Sequence, residues 1–335
     1  MTTGRLLFDT LRFHGAPPSE RLAAAWAGAD VRGLPRLVAL EGCAIWIYRR
    51  LHQVGALEQM DRDLADWLAS QVTDQTARNL LIDAEADALS GILRRIGVPA
   101  VFMKGVARRL LAERFPLADA RSTHDVDLIV PAERAWEVWH ELRRLGYERT
   151  RLTKPPRPEH HHLPALMGAR RVGVEIHTTH AQGVPPAESW RRLYTGAREV
   201  VRGERRFLVP SATELFWNGT AHALRIPDVA FILGQLLDTA VIWASGTPLD
   251  WQEIVRRLEV KEIVDTGAAG SWLRAAADLA GVTPPPQLES RLEGFDLPRA
   301  LDLRLAVLRW VPLPAAWNKL LIWWSSERAR RAARS

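Results

Sequence analysis

The run Asp125-Val-Asp127-Leu-Ile-Val130 constrains this chain more than any other. Two carboxylates alternate with apolar residues, which is the period of a strand with one buried face. Residues two apart on a strand share a face and lie roughly 6–7 Å apart along the chain. Asp125 and Asp127 therefore project together, while Val126, Leu128 and Val130 face the core. Neighbouring carboxylates repel, so such a pair calls for water or a cation beside it. A hard divalent cation such as Mg2+ is the natural partner for clustered carboxylate oxygens. The pattern points to metal-assisted phosphoryl or nucleotidyl transfer.

At 335 residues the chain has room for two or three domains, or one large domain with appendages. An apolar fraction of 47% and a charged fraction of 25% are ordinary for a globular protein with a real core. The formal charge of +6, carried almost wholly by arginine, suits an anionic partner such as a nucleotide, although a GC-rich genome accounts for it equally well. The single cysteine, Cys43, excludes an intrachain disulfide and reads as a buried small side chain in an apolar run. No window approaches the roughly 18–20 uninterrupted apolar residues of a membrane span. The N-terminal residues lack the apolar stretch of a secretory signal, so a cytoplasmic location is expected.

Helical spacing dominates both ends. Leu37, Leu40, Ala44, Ile47 and Leu51 predict one helix, with Gly55 as its stop. A second pattern runs from Asp61 to Ile96 and ends at Gly97 and Pro99. The grammar then changes. Val98 to Met103 reads as a strand, Val106 to Phe115 as a helix, Asp125 to Val130 as a strand, and Pro131 to Gly146 as a helix. One hairpin is predicted from Glu159 to Thr178, turning at Met167 to Arg170, and a smaller one around Gly203. From Ser211 helices return. Ser211 with Glu214 forms a capping box, and Asp250 opens a later helix. The expected fold is α+β: a helical region over 1–95, a small mixed-sheet core over 96–210, and a second helical region over 211–335.

A third acid stands on the predicted strand Val172 to Thr178. Glu175 and His177 share one face, with Val174 and Ile176 on the other. If this strand adjoins the aspartate strand, three carboxylates meet, and such a cluster can hold the ions that clamp attacking and leaving oxygens. Lys104-Gly105, ending the first strand, offers a positive charge and an unhindered backbone to phosphate.

These residues together resemble a known family. Lys104-Gly105, Arg121, Asp125-Val-Asp127-Leu-Ile-Val, Leu145-Gly146-Tyr147 and Val174-Glu175-Ile-His177 look like the uncharacterised nucleotidyltransferase family of the polymerase-beta-like superfamily. Ala221-His222-Ala, Leu237-Asp238, Leu249-Asp250-Trp251 and Gly281 to Pro286 resemble its helical C-terminal part. The resemblance implies a mixed sheet flanked by helices, an NTP (ATP first), and Mg2+ or Mn2+ held by Asp125, Asp127 and Glu175. It implies transfer of a nucleoside monophosphate to an acceptor hydroxyl on a small molecule, peptide or protein, with release of pyrophosphate. Phosphate or nucleotide contacts fall to Lys104, Gly105, Arg121 and His177. The wider superfamily carries Gly-Ser before its acidic pair, where this chain has Lys104-Gly105-Val106.

Blander readings stand beside these. Glu175 could pair with Arg170 or Arg171, and His177 could satisfy a backbone carbonyl. His160-His161-His162 does not make a zinc site, because adjacent strand residues point apart and no third ligand has the required spacing; these residues read instead as lining the substrate side of the sheet. His222 and Asp238 read as buried hydrogen-bonding groups. The basic segments lack interleaved aromatics, so nucleic acid is not an expected partner. The Trp- and Arg-rich C-terminus is expected to pack against the N-terminal helices or a second subunit, which leaves a homo-oligomer open. A non-catalytic nucleotide- or peptide-binding relative, or a phosphotransferase using the same site, are the competing functions.

Overall fold

The computed structural model describes residues 1–111, 114–115, 120, 123–150, 162–180, 184–225, 232–260 and 266–310. Arg121, His160, His161 and the Trp- and Arg-rich C-terminus lie outside the described residues. The chain is mixed α+β. Its helices are α1 (Thr3–Leu11), α2 (Ser19–Ala27), α3 (Leu34–Glu41), α4 (Ala44–Gln53), α5 (Arg62–Arg95), α6 (Lys104–Leu110), α7 (Ala135–Arg144), α8 (Pro186–Thr195), α9 (Ala212–Arg225), α10 (Ile232–Ala244), α11 (Trp251–Glu259), α12 (Thr266–Ala280), α13 (Pro286–Glu289) and α14 (Leu297–Trp310). Its strands are β1 (Val101–Phe102), β2 (Asp125–Ile129), β3 (Glu148–Arg149), β4 (Leu166–Met167), β5 (Gly173–His177), β6 (Arg198–Arg202) and β7 (Arg205–Val209). Two compact units result: one of 1–74, 120–122 and 219–335, the other of 75–119 and 123–218. None of the described helices is long and apolar enough to cross a membrane.

The first unit is helical. The single helix expected over residues 37–51 is broken into α3 and α4, because Gly42 adopts a left-handed conformation (φ 61°) that stops α3. Glycine enters that region without the Cβ penalty other residues meet. Capping follows sequence in both units: Asp250 of the first accepts the Glu253 N–H at 3.0 Å, and Ser211 Oγ of the second accepts the Glu214 N–H at 3.2 Å. Cys43 and Asp238 are buried, but His222 is exposed, because it falls on the outward face of α9.

Glu41, at the end of α3, is fully buried. Its Oε2 accepts the Leu233 N–H at 2.6 Å, at the start of α10, and the carboxylate pairs with Arg304 of α14. Burial pushes the Glu41 carboxyl up from 4.5 to about 7, against the pull of Arg304 and the Leu233 N–H. The folded chain then holds a proton that the unfolded chain has released. The stability this proton brings is complete below about pH 4.5 and is lost as pH rises through about 7. Urea denaturation of the wild type against Glu41→Gln should therefore show the wild type losing about 2 kcal/mol relative to the variant between pH 5 and pH 8. A pH-independent difference would show that Glu41 stays ionised.

The second unit holds one seven-stranded mixed sheet in the order β3-β4-β5-β2-β1-β7-β6. β1 runs antiparallel to β2 and parallel to β7, and β2 runs parallel to β5. The hairpin ending at His177 is present but short: β4 supplies only Leu166–Met167. β3, which was not expected, pairs antiparallel with β4. The hairpin around Gly203 joins β6 to β7. One sheet face carries Val126, Leu128, Val130, Val174 and Ile176 into a core with Ile82, Leu89 and Leu93 of α5 and Val138 and Leu142 of α7. The opposite face buries Val101, Met103 and Ile129 with Leu193 of α8.

A buried acid ties this unit together. Glu85 of α5 has no exposed side-chain surface, accepts the Tyr147 hydroxyl proton and pairs with Arg170 at 3.2 Å. Burial and the adjacent Glu85 carboxylate hold the Tyr147 hydroxyl well above its ordinary range. The turn passes so close that a Cβ at Gly168 would meet Glu85 Oε1 at 2.8 Å. Tyr147→Phe leaves a buried carboxylate short of a donor and should cost about 2 kcal/mol in urea denaturation. A loss below about 0.5 kcal/mol would place the network among the dispensable ones.

Candidate active site

The site is assembled by strand register. Cα pairing across β2 and β5 sets Asp125 against Gly173, Asp127 against Glu175 and Ile129 against His177. Parallel neighbours in register present their side chains on the same face. The strand that carries Glu175 does adjoin the aspartate strand, the condition on which the acidic cluster depended. Upstream, Gln75 of α5 donates to the Thr123 carbonyl at 3.1 Å and fixes the chain just before β2.

Lys104 arrives from the other side of β2. The Met103 N–H donates to the Asp127 carbonyl at 2.9 Å, continuing the β1–β2 pairing. Lys104 then turns the chain into α6 with φ 48°, a left-handed conformation unusual for a residue with a side chain. Such a conformation costs on the order of 1–3 kcal/mol and persists where surrounding contacts enforce it. Here it brings Lys104 Nζ within 2.5 Å of Asp127 Oδ1 and 3.9 Å of Glu175 Oε2.

His177 closes the group. Its Nε2 lies 2.8 Å from Asp127 Oδ1 and 3.4 Å from Glu175 Oε2. One ligand atom from each of Asp127, Glu175 and His177 falls within 4.8 Å of the others, so the three could hold a metal ion. Two carboxylates and an imidazole form a donor set that suits a divalent cation. Burial is graded across the group: the Asp127 and His177 side chains are 3% and 1% exposed, against 24% for Glu175 and 29% for Lys104.

The electrostatics follow from that gradient. Burial penalises ionised Asp127, but Lys104 and His177 outweigh it and hold the carboxyl far below its usual range. Burial also opposes ionised Glu175, yet the hydrogen bond from His177 keeps its carboxyl below the ordinary value. The Lys104 ammonium is disfavoured by burial and held above its usual range by Asp127, then Glu175, then Asp125. Burial and Lys104 both push the His177 imidazole down, while bonds to Asp127 and Glu175 raise it overall.

Asp127, Glu175, His177 and Lys104 thus meet at one place. Asp125 sits two residues up the same strand face, close enough to act on the Lys104 ammonium, but outside the tight donor group. Gly105 is buried in the first turn of α6. Arg170 turns to Glu85 and not to Glu175. His177 stands among the carboxylates, a position that its spacing two residues from Glu175 already implied. His162 reads from the sequence as lining the substrate side of the sheet, not as a zinc ligand. It bridges His177 in antiparallel pairing, with ring centroids 5.5 Å apart, and so borders the group. Its hairpin strand, opposite β5, was the signal for that placement.

Removing the Asp127 carboxylate would leave Lys104 and His177 facing each other with a partner lost. Asp127→Ala should therefore destabilise the ion-free protein by about 3–5 kcal/mol, measured by urea denaturation. A stabilised variant would mean that the cluster is held against carboxylate repulsion that its cations fail to offset.

No curated protein matches the chain. Residues 27–274 match the family described as uncharacterised nucleotidyltransferase, which covers well over half of the sequence and every site residue above. The chain belongs to that uncharacterised nucleotidyltransferase family.

Proposed function

We propose that this protein is a divalent-metal-dependent nucleotidyltransferase that moves a nucleoside monophosphate from an NTP to an acceptor hydroxyl. The observation that carries the reading is the in-register pair Asp127–Glu175, joined by His177 on the same sheet face. Asp127, Glu175 and His177 would hold the ion, with Asp125 extending the acidic face, and a bound ion would neutralise charge on the phosphate oxygens. The two carboxylates among the donors suit Mg2+ or Mn2+.

The remaining work falls to the chain's own side chains. Lys104, partly exposed at the rim, has the charge and reach to pair with the triphosphate in place of the superfamily's serine. Arg121 is a second phosphate partner by its position in the sequence before the acidic pair. Asp125 stands at the start of β2, only partly buried, where a carboxylate can accept the proton of an acceptor hydroxyl. The acceptor oxygen attacks the α-phosphorus, the bond to the bridging oxygen breaks, and pyrophosphate leaves. ATP is the first NTP to test. The acceptor belongs to a small molecule, a peptide or a protein.

Each α-labelled NTP, incubated with the protein, Mn2+ or Mg2+ and a hydroxyl-bearing acceptor panel, should transfer label and release pyrophosphate. Release of nucleoside diphosphate would instead identify γ-phosphoryl transfer from the same site. Asp125→Asn with Asp127→Asn should lower turnover on the order of 10^3-fold. Undiminished transfer in that double variant would overturn the assignment.

A further inference from the structure

Lys104 stands where a cation is needed. Its ammonium lies 2.5 Å from Asp127 Oδ1 and 3.9 Å from Glu175 Oε2, between two of the three donor side chains. An ion held by those donors would need the Asp127 oxygen that Nζ now contacts. Nζ and the ion would then compete for the same Asp127 oxygen and for nearly the same space. Two cations at that separation also repel across a partly buried site.

Only one of the partners can yield. Asp127 and His177 are almost wholly enclosed, whereas nearly a third of the Lys104 side chain is exposed. The lysine is a flexible four-carbon stem bearing a point charge, able to swing towards solvent. The carboxylate is fixed by strand pairing on both sides of β2. The left-handed backbone at Lys104 shows that the resting arrangement is enforced by its surroundings.

We propose that Lys104 is a resident counter-ion that a divalent cation must displace from Asp127 before the site is loaded. Resting on the nucleotidyltransferase reading, this makes the lysine an exchange gate. Metal alone binds weakly, because it must evict the ammonium. A triphosphate gives the evicted ammonium a new anionic partner, so nucleotide strengthens metal binding and metal strengthens nucleotide binding by the same factor.

The test is Mn2+ binding to the full chain without nucleotide, read by calorimetry and by the paramagnetic resonance signal of free Mn2+. Lys104→Met should bind Mn2+ at least tenfold more tightly than wild type, and Mn2+ should raise its unfolding temperature by more. Lys104→Arg, which keeps the charge, should bind no more tightly than wild type. Equal Mn2+ affinity in wild type and Lys104→Met overturns the exchange while leaving the metal site standing. Absence of Mn2+ binding in wild type, Lys104→Met and Asp127→Asn alike overturns the metal site, and the exchange with it. Should Lys104→Met fail to fold, the wild type still decides the matter. Acetylation of Lys104 by acetic anhydride, read by mass spectrometry, should rise several-fold at saturating Mn2+. Unchanged labelling at saturation overturns the exchange.

Discussion

One buried carboxylate, Asp127, governs how this site can be built. At 2% exposure it is stable as an anion only with partners on hand. Those partners come from both neighbours of its strand: Lys104 follows β1 and His177 ends β5. The sheet order β5-β2-β1 is therefore a condition of the electrostatics as well as of the topology. A slip of one residue in either pairing would send Asp127 to the wrong face and leave its partners without a carboxylate.

The same alternation serves two environments. Val126, Leu128 and Val130 on one face of β2 and Val174 and Ile176 on β5 join the core beneath α5 and α7. The face between them carries Asp125, Asp127, Glu175 and His177. Each buried apolar side chain is worth about 1.5–3 kcal/mol, so the core face can offset the cost of the charged one. Ile129 and Met103, packed with Leu193 of α8, close one end of the charged face. What remains open is the side where Glu175 and Lys104 keep part of their surface.

The carboxylate face was legible in the sequence because a two-residue period is unambiguous when it alternates charge with valine and leucine. The adjacency of Asp127 and Glu175 required only that two strands pair, and the pairing is direct. Other features depend on tertiary contacts that periodicity does not encode. Leu37 to Leu51 kept helical spacing across a break, since Gly42 interrupts the backbone without disturbing the apolar count. The strand Glu148–Arg149 is exposed and charged, with no apolar alternation to announce it. His177 was legible as a neighbour of Glu175 on the same strand face, but its hydrogen bond to Asp127 depends on the pairing of β5 with β2. Lys104 was visible as a cation near the acids. Its contact with Asp127 depends on a left-handed backbone that sequence patterns rarely forecast for lysine.

On the proposed reading, that contact bears on what a lysine at this point can do. A row of acids on one largely buried face is costly without a compensating cation, because like charges repel there. A serine hydroxyl can bind phosphate but cannot neutralise that row. A lysine at the same point can do both in turn. It compensates Asp127 and Glu175 here, and on the proposed reading it has the length and exposure to follow a phosphate outward. The two roles are mutually exclusive in space, since one ammonium cannot hold Asp127 and a triphosphate together. On the proposed reading, a single side chain placed in this way ties the stability of the fold to its ligands: whatever loads a metal there must also rehouse the lysine.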